Sequence, residues 1–248
     1  MSGQKVLRLV IVDDEPPARD LLAQYLEERS DVEVVAACAN GFEAVKAVEE
    51  LKPDIVLLDI QMPKLDGFEV LELLDHRPQV IFTTAYDEYG PQAFEVEAVD
   101  YLLKPIAPER LGQALDRARA RIDAGESQPL DRISRDLMTD DTKRRRVLVR
   151  EGARVHVLQS GDIDYVEAQD DYVVLCCGGK TFRKKQTLTD LESRLGDEFV
   201  RIHRSYLLNV DRLHRIEPYA RDSRVAFLTD GKRLPVSRAG YDRLRRLL

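Results

Sequence analysis

The sequence predicts two domains in tandem: an α/β domain built on a doubly wound parallel sheet, then a mostly-β domain. Three observations carry this. In the first half, short continuous apolar runs alternate with amphipathic stretches of helical period, the pattern of a parallel sheet covered on both faces. From Arg146 the rhythm changes to short segments of period two separated by glycine-containing turns. Charge divides near the same place: residues 1–142 carry 15 Lys and Arg against 30 Asp and Glu, so −15, and residues 143–248 carry 23 against 15, so +8. An acidic half joined to a basic one implies that only the basic half meets a polyanion, the alternative being two differently charged solvated surfaces.

The apolar runs of the first half are VLRLVIV (6–12), VEVVAAC (32–38), DIVLLD (54–59), VIFTT (80–84) and VDYLL (99–103). Between them lie the amphipathic stretches ARDLLAQYLEER (18–29), GFEAVKAVEEL (41–51) and GFEVLELLDH (67–76), and PERLGQALDRARARI (108–122) closes the series. Five such units in a little over a hundred residues suit a flavodoxin-like domain, whose site lies at the carboxyl ends of the strands. There the first strand ends in Asp13-Asp14, the third in Asp59 and the fourth in Thr84, and Lys104 follows the fifth. Like charges gathered at one edge repel, so converging carboxylates call for a cation. Mg²⁺ is the natural one, a hard ion held by few carboxylates with water and phosphate completing its shell.

The motifs "VDDE", "LLDIQMPKLDG", "TTA" and "YLLKP" occur in that order, each at a strand end. On them, residues 6–122 resemble a response-regulator receiver domain. The resemblance implies strand order 2-1-3-4-5, with Asp59 as phosphoacceptor and Asp14 as direct Mg²⁺ ligand. Asp13 would hold the ion mainly through water, and the backbone carbonyl of Gln61 would be a further ligand. Lys104 and Thr84 would contact the phosphoryl oxygens, and Tyr101 would turn inward when Thr84 moves. It also implies a cis Lys104–Pro105 peptide. Gly90-Pro91 falls where a fourth helix should begin, so that helix is expected to start near Pro91 and stay short.

Residues 123–145, "DAGESQPLDRISRDLMTDDTKRR", lose the apolar period and read as a linker, with a helical turn expected around 130–138. The second domain, 146–248, offers strand candidates at 147–151, 154–159, 163–168, 172–177, 180–185, 199–203, 214–219 and 224–229. Turns are expected at Glu151-Gly152, Gly178-Gly179 and Asp230-Gly231. "LTDLESRLG" (188–196) reads as a short helix with Thr189 as N-cap and Glu192 completing a capping box, and "SRAGYDRLRRLL" as a terminal helix. No pair of helices suits a helix-turn-helix reader. Cys176 and Cys177, adjacent in a strand, should face opposite sides.

"DYVEAQDDYVVL", "LESRLGDEFVRIHRSYLLNVDRL" and "LPVSRAGYDRLR" make this half resemble a LytTR DNA-binding domain, and the whole chain a LytR/AlgR-type response regulator. The resemblance implies loops of a β fold entering successive major grooves of duplex DNA. By position, Arg204 and Arg238 match base contacts, and Tyr172 lies in a third contact loop. Lys180, Arg183, Lys184 and Lys185 suit phosphate contacts, which position without specifying.

With three cysteines and no paired spacing there is no disulfide framework, and no stretch approaches the roughly 18 apolar residues of a membrane span. The expected setting is the cytoplasm, with no membrane contact. The partners expected are a sensor histidine kinase, duplex DNA and, once phosphorylated, a second copy of the chain, with Arg110, Arg117 and Arg121 meeting Glu95, Glu97 and Asp100 of the mate. Two rival readings of the sequence stand beside this one. An Mg²⁺-dependent aspartyl-phosphate phosphatase needs a second acid two residues after its nucleophile, where this chain has Gln61. The other rival makes the basic module an RNA- or protein-binding output instead of a DNA-binding one.

Overall fold

The computed structural model describes residues 5–86, 98–126, 146–152, 154–220 and 223–247. The chain divides into two compact units, residues 1–137 and 138–248, each described by itself. The Gly90-Pro91 break, Glu95, Glu97 and the turn expected at 130–138 lie outside the described residues.

Unit one runs β1 (Leu7–Val12), α1 (Pro16–Glu27), β2 (Val32–Cys38), α2 (Gly41–Leu51), β3 (Ile55–Asp59), α3 (Gly67–Leu73), β4 (Gln79–Thr84), β5 (Asp100–Leu103) and α4 (Pro108–Asp123). All strands are parallel, in the order β2-β1-β3-β4-β5. Every residue of β3 and β4 is buried, which is why those segments read as unbroken apolar runs. Each Leu or Ile removed from water there contributes about 1.5–3 kcal/mol before entropy is counted. On α4 the stripe Leu111, Ala114, Leu115 and Ala118 packs into the core with Leu9, Ile11 and Leu57. Helix α1 opens on Pro16-Pro17, whose missing N–H groups cost nothing in a first turn. Helix α3 stops at Leu73, short of the expected His76, and the Asp75 and His76 N–H groups donate to Glu49 Oε1 on α2 (2.7 and 3.1 Å). The Lys104–Pro105 peptide is cis.

Unit two holds three antiparallel sheets. The largest has the order β10-β9-β8-β12-β11, with β8 Tyr165–Gln169, β9 Tyr172–Cys177, β10 Lys180–Lys184, β11 Phe199–His203 and β12 Tyr206–Asn209. A three-stranded sheet joins β13 (Leu213–Ala220), β14 (Ser223–Leu228) and β15 (Arg233–Val236), and a hairpin joins β6 (Arg146–Glu151) to β7 (Arg154–Gln159). Among the described residues it also holds two short α-helices, α5 (Leu188–Glu192) and α6 (Arg238–Leu244). Gly178 and Gly179 both take positive φ in the two-residue β9–β10 turn, a geometry that suits glycine at both places.

Three expectations change here. Strands β12 and β15 fall outside the expected strands: "YLLN" is three apolar residues and an asparagine without alternation, and "RLPV" carries Pro235. That proline is tolerated because β15 is an edge strand pairing only with β14. The cap of α5 is Thr187, not Thr189: the Thr187 hydroxyl accepts the Asp190 N–H at 3.1 Å, while the Thr189 hydroxyl accepts the Arg201 guanidinium at 2.9 Å. Cys176 and Cys177 do face opposite cores, one beside Tyr165 and Ile202, the other against Val147 and Leu175. Burial pushes the Cys177 thiol up to about 12, so neither is an activated nucleophile.

Candidate functional site

At the carboxyl ends of β1 and β3, side-chain oxygens of Asp13, Asp14 and Asp59 lie within 4.8 Å of one another. The parallel register of β1 with β3 brings them together. Asp13 and Asp59 are buried and Asp14 half-buried. From the loop after β5 the Lys104 ammonium reaches in, 2.6 Å from Asp59 Oδ2, 2.7 Å from Asp13 Oδ2 and 3.7 Å from Glu15. The Gln61 N–H donates to Asp59 Oδ1 at 3.1 Å, and the Glu15 N–H to Asp13 Oδ1 at 3.0 Å. Burial pushes the Asp59 carboxyl up to about 6, against the pull of Lys104 and with added repulsion from Asp13. Lys104 is itself held above the ordinary lysine value, because the two carboxylates outweigh the cost of its burial. One ammonium against three carboxylates leaves negative charge in excess, and the donors are all hard oxygens, so the residues present fit a divalent cation such as Mg²⁺.

Thr84 is fully buried at the end of β4, and its hydroxyl accepts the Tyr86 N–H at 3.3 Å. The Tyr101 hydroxyl donates to the Tyr86 carbonyl. Both predicted switch residues thus hold the same residue of the loop after β4. Gly67 and Asp66 belong to the segment "LLDIQMPKLDG", and packing gives each a part. A Cβ on Gly67 would lie 2.7 Å from the Asp59 carbonyl oxygen, so only glycine lets α3 approach the Asp59 backbone. Asp66 and Glu69, both buried, close a capping box around that approach (2.9 and 3.0 Å).

In unit two, three loops meet at one end. The Gln169–Tyr172 pair closes a tight turn through Asp170, whose φ is +52°. The Ala168 N–H donates to the Ser205 carbonyl at 2.8 Å, which sets the 203–206 turn beside it. The Ser237 N–H donates to the Ile202 carbonyl at 2.9 Å, so Arg238 opens α6 next to the same turn. A Cβ on Gly240 would fall 1.9 Å from that carbonyl oxygen. The glycine of "SRAG" is therefore what lets the helix carrying Arg238 dock on β11.

Arg204 and Arg238 are exposed, with side chains that meet no partner among the described residues. Tyr172 is half-buried under the Arg183 guanidinium, 3.9 Å from its ring centroid. His203 is half-buried, its Nδ1 2.8 Å from the Ser205 hydroxyl. Burial, helped by Arg204, lowers its pKa. Lys185 is exposed. The Lys184 ammonium is partly buried and donates to the Leu148 carbonyl at 2.7 Å, tying β10 to β6. Within the chain, Asp100 meets Arg110 (3.3 Å) and Arg117.

Residues 9–116 match the response regulator receiver domain model, and residues 153–248 match the LytTR DNA-binding domain model. The chain belongs to the response regulators that join these two domains. It is 38% identical to the transcriptional regulatory protein BtsR of Escherichia coli (strain K12), over 94% of this chain and 95% of that one. It is 30% identical to the sensory transduction protein LytT of Bacillus subtilis (strain 168), over 98% and 99%. It is thus a two-component response regulator with a DNA-binding output, and its work is transcription regulation. No described helix is long and apolar enough to cross a membrane.

Proposed function

We propose that phosphorylation of Asp59 by a sensor histidine kinase, with Mg²⁺ as cofactor, drives pairing of two chains in the cytoplasm and sequence-specific binding of duplex DNA. The observation that carries this is the Lys104 ammonium held between two buried carboxylates that share one edge with Asp14. Asp14 and Asp59, with Asp13 through water and the Gln61 carbonyl, would hold the ion. When bound, it would neutralise charge on the transferring phosphoryl group. The Asp59 carboxylate attacks phosphorus as the donor's leaving group departs, giving an aspartyl phosphate. Lys104 then exchanges its Asp59 contact for a phosphoryl oxygen, and the Thr84 hydroxyl leaves the Tyr86 N–H to donate to another. That frees the loop Tyr101 holds, which is how the site would reach the outer face of β5 and α4. Residues 123–145 link the two domains in this reading.

At the other end, Arg204 and Arg238 read base edges and Tyr172 lies in a third contact loop, while Lys185 meets phosphate. The planar guanidinium fork suits guanine O6 and N7. The test uses a small-molecule phosphodonor with Mg²⁺. Wild type takes up label, sediments as a dimer and binds its operator more tightly, and Asp59→Asn does none of these while keeping its fold. Label on the Asp59→Asn variant would move the acceptor elsewhere. A labelled protein that stays monomeric would replace pairing with release of an inhibited output domain.

A further inference from the structure

Unit two carries a groove of about 270 Å³ lined by Val210, Leu213, His214, Ile216, Tyr241 and Arg245, with Arg215 at its edge. We propose that it docks an acidic segment of a partner protein through one large apolar side chain. Its floor is apolar: Val210, Leu213, Ile216 and Tyr241 are only partly buried against the core that the three-stranded and five-stranded sheets share. Its rim is cationic. Arg245 and His214 are exposed and meet no side-chain partner among the described residues, and no acid lines the groove. Arg215 is occupied, paired with Glu217 at 2.6 Å and lying 4.1 Å over Phe227, so Arg245 is the cation left open, with the His214 ring beside it on the lining. The volume falls below the roughly 300–1,000 Å³ of small-molecule sites, and an apolar anchor ringed by complementary charge is how protein segments dock.

The groove is also removed from the DNA-reading end. Val210 lies past the end of β12, about 13 Å along the strand from Tyr206 at the reading turn. Arg245 lies about 10 Å along α6 from Arg238. A chain seated on DNA by Arg204 and Arg238 therefore leaves this face open, as a regulator that must engage transcription machinery requires.

The test is NMR titration and fluorescence polarisation of the full chain with a short synthetic peptide of Asp and Glu flanking a Leu-Phe pair, and with a control carrying Ser-Ser in its place. Supporting results are shifts confined to residues 210–216 and 241–245, weak binding of the control, and a loss of about tenfold in Arg245→Glu, whose melting matches wild type because Arg245 is exposed. Arg204→Ala binds the peptide as wild type does. Shifts at the 203–206 and 237–238 loops would make the peptide a mere DNA mimic and overturn the proposal. Equal binding of the control, or no binding at millimolar peptide, would overturn it too. So would a self-association that Arg245→Glu breaks, which would assign the groove to a second copy.

Discussion

Asp31 and Asp59 sit at opposite ends of one parallel sheet, each beside basic side chains, and they titrate in opposite directions. Asp31 precedes β2 and takes a two-pronged contact from the Arg29 guanidinium (2.9 Å each) and another from Arg119 (3.0 Å). The hydrogen-bonded Arg29 holds it down at about 2. Asp59 has one ammonium shared with Asp13, and burial carries it up to about 6. The difference lies in how many donors face each carboxylate and how much water remains. Asp31 is satisfied by the guanidinium groups around it, whereas the edge that holds Asp59 keeps carboxylate in excess of its one ammonium.

Breaking the structural side should cost the most stability. Arg119 is nearly buried and donates to the Lys5 carbonyl, the Asp31 carbonyl and the Asp31 carboxylate (3.0, 2.8 and 3.0 Å). Arg119→Leu leaves those acceptors short of donors and should cost unit one about 2–3 kcal/mol in urea unfolding. Phosphodonor labelling of the folded protein should not change. A variant that unfolds normally but labels slowly would show that the two acids are not independent.

The same contrast between committed and open charge runs through the output domain. Arg204→Ala and Arg238→Ala should each weaken operator binding by about 1–3 kcal/mol and leave random-DNA affinity nearly unchanged. Equal losses on operator and random duplex would demote them to phosphate contacts.

The carboxylate cup was legible because strand ends, carboxylates and the lysine recur in register with the fold's own rule for where sites lie. Asp13, Asp14, Asp59, Thr84 and Lys104 needed only sequence order. Gly240 was not legible, since its reason is a helix resting on the Ile202 carbonyl, a contact between segments 38 residues apart. Strand β15 was hidden by Pro235, whose tolerance depends on being at a sheet edge. Lys184 and Lys185 look alike in "RKKQ", and only the pairing of β10 with β9 turns one inward.

Smaller is the effect of pH on Asp59. Its folded pKa, about 6, stands above the ordinary 3.8, so the folded state holds the proton more tightly than the unfolded one. Without Mg²⁺, stability should therefore fall as pH rises through that window. Asp59→Asn should flatten the fall, and Mg²⁺ should offset it in wild type alone. Asp31 runs the other way, its contribution present above the ordinary value and lost as pH falls toward 2. Parallel stability curves for wild type and Asp59→Asn in metal-free buffer would erase the contrast between the two acids.

The smallest effect separates two neighbouring lysines. Lys185 is exposed and Lys184 is bonded to the Leu148 carbonyl. If Lys185 neutralises one phosphate, Lys185→Ala should reduce the slope of log affinity against log salt by about one on any duplex, because one fewer counterion is released. Lys184→Ala should leave the slope intact and instead loosen β10 from β6, lowering the melting temperature of the output domain slightly. The two readouts are orthogonal, so each variant controls for the other. A slope change in Lys184→Ala with unaltered melting would mean that its ammonium leaves Leu148 for DNA, and that a committed charge can be recruited after all.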